Sequence, residues 1–296
     1  MLDEVSETMA HKEFNMPHIL SVRGLILVVE DRLTEIYVRE LFSDIPTSFV
    51  VAGGCQAVKA LVNDLRRRDN SEVQRVFGIV DCDFAKSNFQ RWRDAEKGTV
   101  DMFRLVRNET ENYLLDGKVM CKAARRLAAP KPLDEDFIDN VILREASGQK
   151  FWIACRSVVS ALHERLCSDF PRHPRLQQIQ SLDSAVAYIW NEPWVKTIRT
   201  RADDAIDEIK LTQSISAAVD EYGESIKDGS WVETCSGKEV YDTICQTMFQ
   251  DVAHKRDDFA KAIAESQRAD SMLPKDMIEL HDVLFGVHAK LISVNG

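Results

Sequence analysis

The sequence predicts an α/β domain built on a parallel sheet, followed by a mostly α-helical region. Three observations carry this reading. Short apolar runs alternate with stretches of helical spacing over the first hundred or so residues, and the connections between them are short. Beyond about Asp116 only helical patterns remain, punctuated by prolines.

The elements follow in order. Leu25-Ile-Leu-Val-Val29 is a continuous apolar run, as expected of a strand buried on both faces. Thr34 to Phe42 places Ile36, Tyr37, Leu41 and Phe42 close to helical spacing. Ser48-Phe-Val-Val-Ala52 reads as a second strand, ended by Gly53-Gly54. Ala57, Val58, Leu61, Val62 and Leu65 then mark the inner face of a second helix. Arg75-Val-Phe-Gly-Ile-Val80 and Met102-Phe-Arg-Leu-Val106 are a third and a fourth strand. Such alternation means a parallel sheet of Rossmann-like topology. Downstream, the segments around Cys121–Leu127, Phe151–Cys167, Leu182–Trp190, Ala202–Tyr222, Val240–Ala253 and Met277–Ile292 read as amphipathic helices. The expected division is an N-terminal extension over 1–23, an α/β core over 24–116, and a helical domain over 117–296 for partner binding or assembly.

Composition narrows the class. Of the 296 residues 45% are apolar and 29% charged, the profile of a soluble globular chain. The seven cysteines form no CxxC pair and no HExxH is present, which argues against a disulfide framework and against zinc. A net charge of −10 argues against a protein that coats nucleic acid through its overall field, but not against an enzyme that handles it locally. Leu25 to Val29 is too short to span a bilayer, and the acidic segment Met1 to Glu13 lacks the basic and apolar regions of a secretory signal. A cytoplasmic protein without membrane contact is expected.

Ligands of parallel α/β sheets sit outside the carboxyl ends of the strands. Acidic residues fall at three such ends here: Glu30 after the first strand, Asp81 and Asp83 after the third, and Glu109 and Glu111 after the fourth. If the strands run parallel, these groups converge on one rim. Convergent carboxylates repel one another unless a cation neutralises them, and hard oxygen ligands suit Mg²⁺ or Mn²⁺. The Asp-x-Asp spacing suits an extended chain, whose alternate side chains point the same way. A metal held there can stabilise the oxygens of phosphodiester cleavage, with Glu30 as a further ligand or as general acid/base. Taken singly, each acid also reads as a turn residue or a helix cap.

The Glu after strand one, the Gly-Gly turn and the Asp-x-Asp after strand three resemble the Toprim domain. The string Glu109-Thr-Glu-Asn-Tyr-Leu-Leu115 is similar to one in a subset of OLD-related nucleases whose core is followed by a helical region, among them the effector nucleases of the PARIS type of anti-phage defence. The resemblance covers about Gly24 to Leu115 by motif and the remainder by layout. It implies Glu30 as the general acid/base, Asp81 and Asp83 as the metal-binding pair, and Glu111 as a further metal ligand. It also implies a separate ABC-type ATPase partner that holds the nuclease inactive, and it admits a homodimer in the active state. RNA, specifically tRNA, is the substrate it favours. Two departures bear on a second metal: Asp31 stands where glycine is common, and Thr34 where an acid is common, with Glu35 beside it.

Other signals carry less. Lys86, Arg91 and Arg93 are candidate nucleic-acid contacts, and each also reads as an ordinary surface residue. Arg66-Arg-Arg68 reads as a solvated helix face or a phosphate contact. Gly53-Gly54 is a strand-to-helix turn or a backbone phosphate cradle, and it is not a P-loop, since no second glycine precedes a Lys-Ser/Thr. A DNA endonuclease or nickase with the same acids fits too. The rival of another class is a non-catalytic Toprim module serving assembly.

Overall fold

β1 (Leu25–Val29) is apolar and buried at every position, so it lies inside a sheet covered on both faces. The structure is a computed structural model and describes residues 20, 24–82, 101–129, 133–166, 176–193, 195, 208–253 and 255–295. β1 pairs in parallel with β2 (Thr47–Val51) on one side and with β3 (Val76–Val80) on the other. β4 (Met102–Arg104) lies parallel to β3, giving a four-stranded sheet of order β2-β1-β3-β4. The chain moves outward from β1 to β2 and then returns to the far side of β1. The strand order therefore reverses between β1 and β3, which is where open α/β sheets bind ligands.

Two helices cover opposite faces of the sheet. Successive strand side chains point to opposite faces. Leu25, Leu27 and Val29 with Phe77 and Ile79 meet Leu33, Tyr37, Val38 and Leu41 of α1 (Arg32–Leu41). Ile26, Val28, Val76 and Val80 instead meet Val58, Val62 and Leu65 of α2 (Cys55–Arg68). Gly78 permits this close packing, because a Cβ there would lie 2.5 Å from Met102 Sδ and 2.8 Å from Val58 Cγ1.

The rest is helical, as expected. A 3₁₀ turn over Thr110–Leu114 leads into α3 (Gly117–Arg126), α4 (Glu135–Gly148) and α5 (Lys150–Leu166). These are followed by α6 (Leu182–Asn191), α7 (Glu208–Asp228), the short α8 (Trp231–Thr234), α9 (Gly237–Met248), α10 (Arg256–Ala269) and α11 (Lys275–Asn295). Three of these, α4, α10 and the short α8, escaped the sequence reading. α10 packs against both α1 and α3. The inner face it presents is built partly of small residues, Ala260, Ala264 and Ser266 beside Phe259 and Ile263. Residues on both sides of Asp116 thus share one hydrophobic core. No helix among the described residues is long and apolar enough to cross a membrane.

Candidate functional site

The carboxyl ends of β1 and β3 lie side by side, and the chain leaving each carries an acid. Val29 is in register with Ile79, which sets Glu30 level with Val80 and one step from Asp81. Glu30 Oε1 accepts a hydrogen bond from the backbone N–H of Asp81 at 3.1 Å. The two half-buried acids therefore adjoin across the reversal of strand order. Gly53 N–H donates to the Glu30 carbonyl at 2.8 Å, so the start of α2 opens on the same rim. Gly53 and Gly54 have φ of +93° and +151°, backbone that favours glycine, and a Cβ at either would meet nothing within 4 Å. Conformation, not space, accounts for this pair.

Two hydroxyls stand behind Asp81. Thr110 Oγ1 donates to Asp81 Oδ1 at 3.3 Å, and the Thr34 and Thr110 hydroxyl oxygens lie 2.8 Å apart. Thr34, where the resemblance anticipates an acid, thus reaches Asp81 through a second hydroxyl. Asp31 is the N-cap of α1, its Oδ1 accepting from the Thr34 N–H at 2.8 Å. Glu35 is held by Arg32 and Arg39 at 2.5 and 2.6 Å.

The two acids after β4 do different work. Glu109 accepts from the Lys238 N–H at 2.8 Å and the Ser236 hydroxyl at 3.2 Å, with the Arg156 guanidinium 3.6 Å away. It ties the turn to the start of α9. Glu111 is buried and forms an ion pair with Arg256, the first residue of α10. Burial above all, then the charge of Glu109, pushes its carboxyl up to about 7 against the pull of Arg256. Asp31 adds a smaller push in the same direction, so Glu111 lies within electrostatic reach of the rim.

Of the expected metal ligands Glu30, Asp81, Asp83 and Glu111, the structure joins Glu30 to Asp81 and pairs Glu111 with an arginine. Asp83 lies outside the described residues, as do Lys86, Arg91 and Arg93. Arg66 is bound to Asp101, just before β4, at 2.7 Å, and Arg68 to Asp64 at 3.1 Å. That basic run therefore sits by the amino ends of the strands, on the rim opposite Glu30 and Asp81.

Among the described residues no group of three or more His, Cys, Asp or Glu could hold a metal ion. The Glu30 carboxylate bound to the Asp81 backbone, and the Asp81 carboxylate itself, are donors of the kind a magnesium-type ion takes. Mg²⁺ commonly takes one or two protein carboxylates and completes its shell with water and substrate phosphate oxygens. Comparison of the chain with protein-family models and with curated proteins finds no match.

Sequence reasoning passed over Thr110 and Arg256 as members of this neighbourhood, and met Thr34 only as a departure from an expected acid. Thr110 stands inside the quoted Glu-Thr-Glu-Asn string, so its segment was in view. Its meeting with Thr34, 76 positions away, has no signature in a single sequence.

Proposed function

We propose that this chain is a Toprim-type, metal-dependent nuclease that cleaves phosphodiester bonds with Glu30, Asp81 and Asp83. The observation that carries the reading is the hydrogen bond from the Asp81 backbone N–H to the Glu30 carboxylate at 3.1 Å, which sets these two residues side by side at the carboxyl rim where the strand order reverses. Asp81, leaving β3, and Asp83 two residues on would hold Mg²⁺ or Mn²⁺ together with Glu30. A cation bound there supplies charge stabilisation at the attacking and leaving oxygens. Glu30, half-buried beside the Asp81 backbone, would take or give the proton at the reacting oxygen. Glu111 would enter the ligand set on exchanging Arg256 for the metal. RNA, with tRNA as the favoured class, is the substrate in this reading, and Lys86, Arg91 and Arg93 are its contacts. The biological setting proposed is anti-phage defence, with the nuclease held inactive by a separate ABC-type ATPase; the motif resemblance supports this.

The assembly part of the reading has its own support. α11 exposes Ile278, Phe285 and Ile292, spaced seven residues apart along one face. Its first half carries Asp276, Glu279 and Asp282 beside Lys275 and His281, and its second half His288 and Lys290 without an acid. An antiparallel second copy crossing at Phe285 would set Asp282 opposite His288 and Glu279 near Lys290, so the occupant we assign is another copy of this chain. Light scattering at rising concentration should show a dimer that Phe285→Glu abolishes; a wild type that stays monomeric would remove this part.

The nuclease is tested by incubating wild type and Glu30→Ala with total tRNA and with plasmid DNA in Mg²⁺ or Mn²⁺. Any ATPase encoded beside the gene is added, with and without a phage-derived trigger. Metal-dependent cleavage of tRNA, lost in Glu30→Ala, is expected. Cleavage of plasmid alone would select the DNA endonuclease, and no cleavage by wild type in any combination would favour the assembly module.

A further inference from the structure

We infer that Thr110 and Thr34 are positioning residues for the Asp81 carboxylate, forming a relay of two hydroxyls that sets this acid for a divalent cation. The inference rests on the reading of Glu30 and Asp81 as the cation site.

The direction of the relay follows from charge. An ionised carboxylate only accepts hydrogen bonds. The Thr110 hydroxyl must therefore donate to Asp81 Oδ1, across 3.3 Å, and that uses its single proton. The 2.8 Å contact between the hydroxyls must then run from Thr34 to Thr110. Each donor in this chain points toward the acid, the arrangement that favours and orients its charged form.

Both threonines are held in place. Each is 1% exposed, so neither hydroxyl swings out to water. Thr34 lies in the first turn of α1, its N–H bound to the cap at Asp31. Thr110 opens the 3₁₀ turn, whose capping box joins Glu109 to Asn112. Asn112 is anchored in turn to the carbonyls of Val232 and Cys235, at 2.9 and 3.0 Å. The contact between the two hydroxyls uses the Thr34 proton and leaves the Thr110 proton to find an acceptor. The further bond to Asp81 aims the pair at the rim. Groups that orient a metal ligand in this way typically change metal affinity about 10–100-fold when removed.

The test is calorimetric titration of the full chain with Mn²⁺, for wild type, Asp81→Asn, Thr110→Val, Thr110→Ser, Thr34→Val and Thr34→Ser, with circular dichroism confirming the fold of each. Wild type is expected to bind, and Asp81→Asn to lose binding. Thr110→Val should bind about 10-fold or more weakly, while Thr110→Ser, which keeps the hydroxyl, stays near wild type. Rescue by serine separates a donated hydrogen bond from mere packing. Should Thr110→Val fail to fold, Thr34→Val removes the donor behind Thr110, and a smaller loss restored by Thr34→Ser is expected. Affinity unchanged in Thr110→Val and Thr34→Val, with Asp81→Asn inactive in binding, would overturn the relay and leave the cation site standing. No Mn²⁺ bound by wild type, or equal binding by Asp81→Asn, would overturn both.

Discussion

Glu111 shows how burial decides what a charged residue can do. Its carboxyl is pushed up to about 7 although a guanidinium touches it, because the loss of hydration outweighs the attraction. The folded chain therefore binds this proton more tightly than the unfolded chain does. Between the ordinary value of 4.5 and about 7, folding takes up a proton, so stability falls as the pH rises through that window. Replacing the acid by an amide removes the dependence. In a chelator, wild type should lose stability relative to Glu111→Gln between pH 5 and 8, by roughly 3 kcal/mol. Chemical denaturation at several pH values checks it, and parallel pH profiles for the two proteins would contradict it.

At the scale of elements, the 3₁₀ turn over Thr110–Leu114 joins sheet to helices. Asn112 is fully buried and donates to Val232 and Cys235, while its Oδ1 accepts from the Glu109 N–H at 2.9 Å. Tyr113 O–H donates to Asp276 of α11 at 2.5 Å, and Gln267 of α10 donates to the Tyr113 carbonyl at 2.8 Å. Gly237, the first residue of α9, lies so close that a Cβ there would come within 2.4 Å of the Asn112 backbone nitrogen. Asn112→Ala would leave these partners buried without a donor, and a loss of about 3 kcal/mol is expected from urea denaturation. A loss below about 1 kcal/mol would show that the turn is not what joins the two parts.

The same scale shows what was legible in the sequence. All four strands appeared as apolar runs, because both faces of this sheet are covered and burial leaves no polar alternation to confuse. Glu30 and Asp81 were legible because a parallel sheet places its strand ends on one rim. α10 was not, since alanines and Ser266 form much of its buried face and carry little hydrophobic signal. α4 was missed although Asp134 caps it and Glu135 and Asp136 occupy its first turn; its Phe137 points to solvent, which blurs the apolar stripe. The acid string after β4 was found but incompletely understood. Its spacing says nothing about Arg256, which reaches Glu111 from 145 positions away.

Across the whole molecule, the sheet presents two unlike rims. The amino ends carry ion pairs closed within the chain, Arg66 with Asp101 and Arg75 with Asp69 at 2.7 and 2.9 Å. The carboxyl ends bring Glu30 and Asp81 together, with hydroxyls behind them and the glycine turn of α2 alongside. A cation that binds only the folded chain raises its stability by about 2.7 kcal/mol at a concentration 100-fold above its Kd. Melting of wild type and of Glu30→Gln/Asp81→Asn with and without Mg²⁺ measures this directly. Mg²⁺ is expected to raise the wild-type Tm by several degrees and to leave the double variant unmoved. An equal Mg²⁺ shift in both proteins, or none in wild type, would contradict a cation site at the ends of β1 and β3.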